Sequence, residues 1–413
     1  MEDFLPRRVS SYLRRLASLY PAILVTGPRQ SGKTYLCRHH FPNHRWILFD
    51  DELLAEQANE DPKLFLTNNP PPFILDEVQK APNLFPALKE YIDTEETECG
   101  HIILTGSQPL ALMKFVSESL AGRIGLVELF PMTPSEVFQY ETFSFDFDNW
   151  IKDPPIGETY SWKISPFEFL FRGGFPKMII TKHSPKSEDA STRLKDYIRT
   201  YLSKDLRDIA SVTNLGRFEK FLRVLASSSS KILDLSDVAR QADIPQGTAY
   251  DWYELLKVSL IAWAVPGWAR NLGKRERKRS KLFVLDSGLV CTLMNIARPE
   301  DLNLNPLTGF IFETAAANCV RSSLFKSSTV TPPLYHWNFR NQVEVDLVYV
   351  KDIHSLYPIE IKLSSKPSKS DCRGLEAFSD KYPKETKTRI IITTNERCFW
   401  LDSKTLHIPL SAL

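Results

Sequence analysis

The sequence contains no C-x-x-C pair, and its six cysteines, at 37, 99, 291, 319, 372 and 398, are scattered. Such scatter offers neither a zinc-binding knuckle nor a disulfide framework, and it fits a reducing, cytoplasmic compartment. No stretch approaches the roughly 20 apolar residues that cross a bilayer. The opening Met1-Glu2-Asp3-Phe4-Leu5-Pro6-Arg7-Arg8 lacks the apolar core of a signal peptide. No membrane partner is expected. Repeats are missing, and low complexity goes no further than Ser227–Ser230. Net charge is almost nil: 52 Lys and Arg against 50 Asp and Glu leave +2. Overall charge therefore selects no partner, and only local clusters count. What is present is an ordinary globular composition, 43% apolar and 25% charged. At 413 residues the chain exceeds one hydrophobic core, so two or three domains are expected.

Residues Gly27-Pro28-Arg29-Gln30-Ser31-Gly32-Lys33-Thr34 satisfy G-x-x-x-x-G-K-[ST] at every fixed position. The preceding Ala22–Thr26 reads as a buried strand, and Lys33–His39 continues as a helix. In that setting backbone N–H groups and the positive end of the helix dipole converge on a phosphate. Lys33 is expected at the β- and γ-phosphates of ATP, and the Thr34 hydroxyl on Mg²⁺. Phe73-Ile74-Leu75-Asp76-Glu77 is an apolar run ending in two carboxylates, the layout of a Walker B strand covered on both faces. Asp76 would hold Mg²⁺, and Glu77 would orient and deprotonate the attacking water. A third strand, His101–Thr105, ends in Gly106-Ser107-Gln108, where Ser107 and Thr105 are candidates to contact the γ-phosphate or the water. Arg123 in Leu120-Ala121-Gly122-Arg123 has two readings. It supplies a cation to the transferred phosphate, in its own chain or across a subunit boundary of a homo-oligomer, or it is a surface Arg after a helix-ending Gly.

Residues 7–20 carry apolar groups at helical spacing and lead into the first strand. The expected organisation is a P-loop domain over 1–140, a linker or insertion at 141–165, a helical and winged-helix region over 166–290, and an α/β domain over 291–413. Residues 141–165, with Pro154-Pro155 and little periodicity, read as a loop. From Ser165 to about Ser230 the pattern is amphipathic, with Tyr197, Tyr201, Leu202, Leu206 and Ile209 on one face. Within 234–270, Leu235, Val238 and Ala239 line one helix, and Ala242-Asp243-Ile244-Pro245 forms a turn. Ala249, Trp252, Tyr253 and Leu256 line a second helix, and Leu260–Val265 follows as a wing strand. Such a module enters a DNA major groove or serves as a protein-packing lid. Arg270, Lys274, Arg275, Arg277, Lys278, Arg279 and Lys281 stand against one acid, Glu276. Over 270–281 they either neutralise nucleic-acid phosphates or keep a hairpin solvated.

The C-terminal part carries Glu313 in a helical run, Asp346 on one strand, and Glu360 and Lys362 on the next. Period-two alternation puts Glu360 and Lys362 on one face, away from Ile359 and Ile361. This order matches the restriction-endonuclease-like fold. Asp346 and Glu360 would ligate a second Mg²⁺, with Glu313 completing its surroundings and Lys362 stabilising charge. The alternative is a structural charge cluster in which Lys362 neutralises the acids.

Taken together, these residues resemble the prokaryotic AAA-type ATPases that fuse an N-terminal P-loop domain to an uncharacterised C-terminal domain. Besides the Gly27–Thr34 loop, the resemblance rests on Leu75-Asp76-Glu77-Val78-Gln79, Leu104-Thr105-Gly106-Ser107 and Leu120-Ala121-Gly122-Arg123. It continues through Gly173-Gly174-Phe175-Pro176, Phe283-Val284-Leu285-Asp286-Ser287-Gly288-Leu289, Phe312-Glu313, Glu344-Val345-Asp346 and Ile359-Glu360-Ile361-Lys362. It implies an α/β P-loop NTPase sheet, a winged-helix segment and an endonuclease-like C-terminal domain, with ATP binding and hydrolysis. Three functions compete: a nucleotide-driven switch, an ATP-regulated nuclease, and a non-cleaving nucleic-acid-binding ATPase.

Overall fold

The computed structural model describes residues 4–95, 97–107, 109–140, 146–179, 187–202, 215–271, 279–324, 333–339 and 342–413. The chain divides into two compact units, Met1–Phe130 with Val258–Leu260, and Pro131–Lys257 with Ile261–Leu413.

The first unit is built on β1 (Ala22–Thr26), β2 (Arg45–Leu48), β3 (Phe73–Asp76), β4 (Ile102–Gly106) and β5 (Ile124–Glu128). They form a parallel sheet in the order β2-β3-β4-β1-β5. Alternation along the strands splits the apolar residues between two cores. Leu24, Phe73, Leu75, Ile102 and Leu104 enter one, and Ile23, Val25, Ile74, Ile103 and Val127 the other. Both faces are covered, which explains why these strands read as unbroken apolar runs. The helix Val9–Ala17 buries Leu13 and Leu16 in the second core. Because β4 lies between β1 and β3, the ends of all three strands converge at one edge of the sheet.

In the second unit the helix Leu235–Ala242 buries Val238 and Ala239, and Gln246–Val258 buries Ala249, Trp252, Tyr253 and Leu256, the faces expected of them. β6 (Ala262–Val265) pairs antiparallel with β7 (Lys281–Val284). Tyr197 is buried, whereas residues 206 and 209 lie outside the described residues. The C-terminal sheet contains β8 (Leu334–Phe339), β9 (Val343–Asp352), β10 (Ser355–Ile361), β11 (Arg389–Thr393), β12 (Phe399–Trp400) and β13 (Thr405–Pro409). Its order is β12-β13-β11-β10-β9-β8. The β10–β11 and β11–β13 pairs are parallel, and the others antiparallel. The helix Arg373–Lys381 packs Leu375 and Phe378 against Trp337, Val345 and Ile391 of this sheet.

The segment 141–165, read as a loop, linker or insertion, contains regular structure among its described residues. Phe147–Lys152 forms a helix capped by Asp146, and Phe147 sets its ring edge-on to Tyr349 of β9. Thr159 forms an antiparallel bridge with Arg397, flanked by Gly157 N–H to Cys398 O (2.8 Å) and Tyr160 N–H to Glu396 O (2.7 Å). The segment is held by distant sequence, which local periodicity does not register. Two motifs far apart in sequence also meet. Asp286 caps the helix Ser287–Leu293 by accepting from Leu289 N–H (3.1 Å), and it accepts Gly174 N–H at 2.7 Å. Its complete burial pushes the carboxyl up to about 6, against the hydrogen bonds that favour its charge. No helix among the described residues is long and apolar enough to cross a membrane.

Candidate active site

The loop Gly27–Thr34 leaves the end of β1 and enters the helix Lys33–His40. Gly27 sits so close to the next strand's exit that a Cβ there would lie 2.4 Å from Leu129 O. Only hydrogen fits, so the loop starts tight against the sheet edge. Arg7 clamps it from below, donating to Ser31 O (3.0 Å) and Phe130 O (2.6 Å). Lys33 is buried with its Nζ donating to Gly27 O (3.1 Å) and Pro28 O (3.0 Å). Burial lowers its pKa to about 8, a drop only partly offset by Glu77 and Asp76. Within the loop, Ser31 Oγ is buried with no hydrogen-bond partner. Arg29 and Gln30 are exposed, and Pro28 is buried.

Asp76, at the end of β3 and 3% exposed, accepts three hydrogen bonds. Its Oδ2 takes Thr34 Oγ1 at 2.8 Å and Trp46 Nε1 at 3.3 Å, while its Oδ1 takes Thr105 Oγ1. The two residues expected at Mg²⁺, Thr34 and Asp76, thus lie side by side. An oxygen pair of this kind, a hydroxyl beside a carboxylate next to a phosphate cradle, fits a hard cation. Glu77 follows in left-handed backbone, φ 55°. Its Oε2 accepts Gln79 Nε2 (2.5 Å), Ser107 N–H (3.2 Å) and Ser107 Oγ (2.8 Å). Gln79 is itself wedged against Gly106, where a Cβ would approach Gln79 Oε1 to 2.3 Å. Lys33, Thr34, Asp76, Glu77, Thr105 and Ser107 are therefore assembled at one sheet edge.

Arg123 is not brought there. It precedes Ile124 at the opposite end of β5, and its backbone carbonyl accepts Ala22 N–H at the start of β1. Five residues at about 3.3 Å each separate it from the loop edge. Its guanidinium grips Asp93 (2.5 and 2.9 Å) and donates to Ala121 O (3.1 Å). The reading of Arg123 as a cation for the phosphate of its own chain is corrected on this ground.

The C-terminal carboxylates also assemble, with a partner not anticipated. Asp346 Oδ2 accepts Ile361 N–H (2.9 Å), and Glu360 Oε1 lies 2.7 Å from Lys362 Nζ. Lys281 of β7, read from sequence as part of the solvated basic run, is buried. It pairs with Glu313 and with Asp346 Oδ1 (3.1 Å). Burial opposes its charge, but Asp346 and Glu313 outweigh that and hold the ammonium above its usual range. Burial, followed by the nearby Asp346, raises Glu313 to about 8 and Glu360 well above the carboxylate range. Among the described residues no group of three or more His, Cys, Asp or Glu is disposed to hold a metal. Of the expected metal set, Asp346 and Glu313 are here paired with Lys281, and Glu360 with Lys362. Arg270 pairs with Glu385 (3.1 Å) and Arg279 with Asp234 (2.9 Å), while Lys274, Arg275, Arg277 and Lys278 lie outside the described residues.

Sequence reasoning missed Trp46 altogether and the partners of three residues it had named. Thr105, a candidate for the γ-phosphate or the water, donates to Asp76, and Trp46 stands on a strand without any motif. Gln79 was visible as the residue two beyond Glu77, though its role was not. Lys281 carried no local signal apart from alternation with Leu282.

Residues 19–138 match the family model described as AAA domain. Residues 165–300 and 308–413 match two domains of unknown function, DUF8612 and DUF4143. Uncharacterized protein Rv2008c of Mycobacterium tuberculosis is 29% identical over 363 residues, 88% of this chain and 75% of that protein. Uncharacterized protein MJ1544 of Methanocaldococcus jannaschii is 23% identical over 285 residues, 64% of this chain and 60% of that protein. Among solved structures, the Walker-type ATPase paby2304 of Pyrococcus abyssi is 18% identical with a TM-score of 0.45, covering 71% of this chain and 96% of that one. AMPPCP-bound DnaA from Aquifex aeolicus is 17% identical with a TM-score of 0.28, over 60% and 86%. Residues 19–138, which carry the P-loop and the parallel sheet, thus match an AAA domain, and residues 308–413 match DUF4143.

Proposed function

We propose that this protein is a Mg²⁺-dependent ATPase. The observation that carries the reading is the meeting of Lys33, Thr34, Asp76 and Glu77 at the ends of β1 and β3, beside a loop that runs into a helix N-terminus. The Gly27–Thr34 amides and Lys33 bind the phosphates, and Thr34 and Asp76 hold Mg²⁺. The ion neutralises charge on the phosphates when bound. Glu77, oriented by Ser107 and Gln79, accepts the proton of the attacking water. Lys33→Ala is expected to abolish nucleotide binding, and Glu77→Gln to keep binding while phosphate release stops. Unchanged phosphate release by the Glu77→Gln protein contradicts the role given to Glu77.

In the same proposal the domain order is a P-loop ATPase, a helical and winged-helix region, and an endonuclease-like α/β domain. Nucleotide state is read out as a switch on the C-terminal regions. The winged-helix reading is supported by the two short helices followed by the β6–β7 pair, and the endonuclease-like reading by Asp346 on β9, Glu360 on β10 and Lys362 directly after it. The nuclease alternative is not favoured, because the carboxylates are already paired with a buried ammonium. Phosphate release with and without duplex DNA tests the switch reading. Stimulation supports a nucleic-acid input, and indifference to DNA points to a protein partner.

A further inference from the structure

The C-terminal carboxylate cluster has an occupant of its own. Asp346 and Glu313, with side chains 5% and 11% exposed, pair with Lys281, at 7%, while Glu360, at 6%, pairs with Lys362. Lys362 is the outlying cation, 43% exposed and engaged with Glu360 Oε1 alone. The other oxygen, Glu360 Oε2, is buried without a hydrogen-bond partner. Two enclosed carboxylates thus share one enclosed ammonium, and the neighbouring Glu360 keeps one buried oxygen without a donor.

We propose that Lys281, delivered by β7, is the resident cation of this cluster and keeps a divalent metal out of it. The contact works against a metal at the same oxygen. A Mg²⁺ ion ligated by Asp346 Oδ1 would sit about 2.1 Å from that oxygen. Lys281 Nζ is 3.1 Å from the same oxygen, so the two cations would lie no more than about 5 Å apart in a buried site, where like charges repel strongly. A lysine also provides what Asp346 and Glu313 need without shedding the hydration shell that Mg²⁺ gives up reluctantly. The unpartnered Glu360 Oε2 marks the direction in which a metal would find a further ligand once the ammonium is gone. With Lys281 in place the cluster is a charge lock joining β7, the helix Thr308–Leu324 and β9, and the domain holds no cleavage-competent metal. This inference stands independently of the ATPase reading.

The test is Mn²⁺ binding to the full-length, nucleotide-free protein, followed by the loss of the free-ion electron paramagnetic resonance signal. Wild type and Asp346→Asn are expected to bind alike. An Mn²⁺ site present in wild type and lost in Asp346→Asn overturns the proposal. Lys281→Met is expected to gain roughly tenfold or more in Mn²⁺ affinity, the scale on which a site's surroundings govern metal binding. That gain should vanish in Lys281→Met/Asp346→Asn. Removing one partner of a buried pair strands the other charge, so Lys281→Met/Glu313→Gln, which removes both charges together, serves as the second variant. If Lys281→Met is unfolded by circular dichroism, the double variant decides. Absence of any gain in whichever of these proteins is folded overturns the proposal.

Discussion

Thr105→Val isolates the support beneath the metal-side carboxylate. Thr105 is fully buried, and its hydroxyl donates to Asp76 Oδ1, which accepts no other group described above. Valine keeps the shape of threonine, so no cavity opens and only the hydrogen bond is lost. A hydrogen bond to a charged group contributes about 1.5–3 kcal/mol, and the enclosed oxygen cannot recruit bulk water in exchange. The folded-to-unfolded ratio should therefore fall by roughly 10- to 150-fold. With urea slopes of about 1–3 kcal/mol per molar, the midpoint should drop by about 1 M. The transition belonging to the P-loop unit is identified as the one that Mg·ADP shifts upward, because a ligand stabilises only the fold that binds it. Repeating the substitution in an Asp76→Asn background closes a double-mutant cycle. There the cost of Thr105→Val should shrink by about 1 kcal/mol or more, since the accepting charge has gone. Equal costs in the two backgrounds would refute the argument that Thr105 acts through Asp76.

Three further outcomes follow from the same geometry. Trp46 is the only tryptophan in residues 1–130 and donates to Asp76, so Mg·ATP should change the protein's fluorescence, and Trp46→Phe should abolish that change. An identical response from Trp46→Phe would dissociate the indole from the site. Lys33 has a pKa near 8 before phosphates arrive, and bound phosphates raise it. ATP binding at pH 8.5 should therefore take up protons, with affinity falling as pH climbs through 8 and little uptake at pH 6.5. Calorimetry in buffers of different ionisation enthalpy reads this sign, and proton release at pH 8.5 contradicts it. Gly173→Ala should destabilise the second unit by at least about 1–2 kcal/mol, the cost of left-handed backbone for an L-residue. Its φ is 70°, and a Cβ would fall 2.1 Å from Asp286 Oδ1. An unaltered urea midpoint would show that the Gly173–Asp286 contact is dispensable.

How much of this was legible beforehand depended on the range of the interaction. The P-loop strand–loop–helix is local, and its residues could be placed because eight consecutive positions carry the chemistry. β3 and β4 were legible for a different reason: a sheet covered on both faces imposes apolar runs that end where charge begins. Two donors to Asp76 were not legible in the same way. Trp46 lies 30 residues before Asp76 and Thr105 lies 29 after it, and strand order alone brings them together. The helix Phe147–Lys152 was concealed by prolines and by a docking partner some 200 residues away. Lys281 misled most, because seven basic residues in a dozen look like one solvated face. The strand register instead turned the last of them inward, toward carboxylates 32 and 65 residues downstream.

The central claim is that the Gly27–Thr34 loop, with Lys33, holds a triphosphate. Isothermal titration of folded wild-type protein with ATP in the presence of Mg²⁺ tests it most directly, with Lys33→Ala as the control. One nucleotide bound per chain by wild type and none by Lys33→Ala is the predicted result. No binding by folded wild type, or equal binding by the two proteins, would contradict the account.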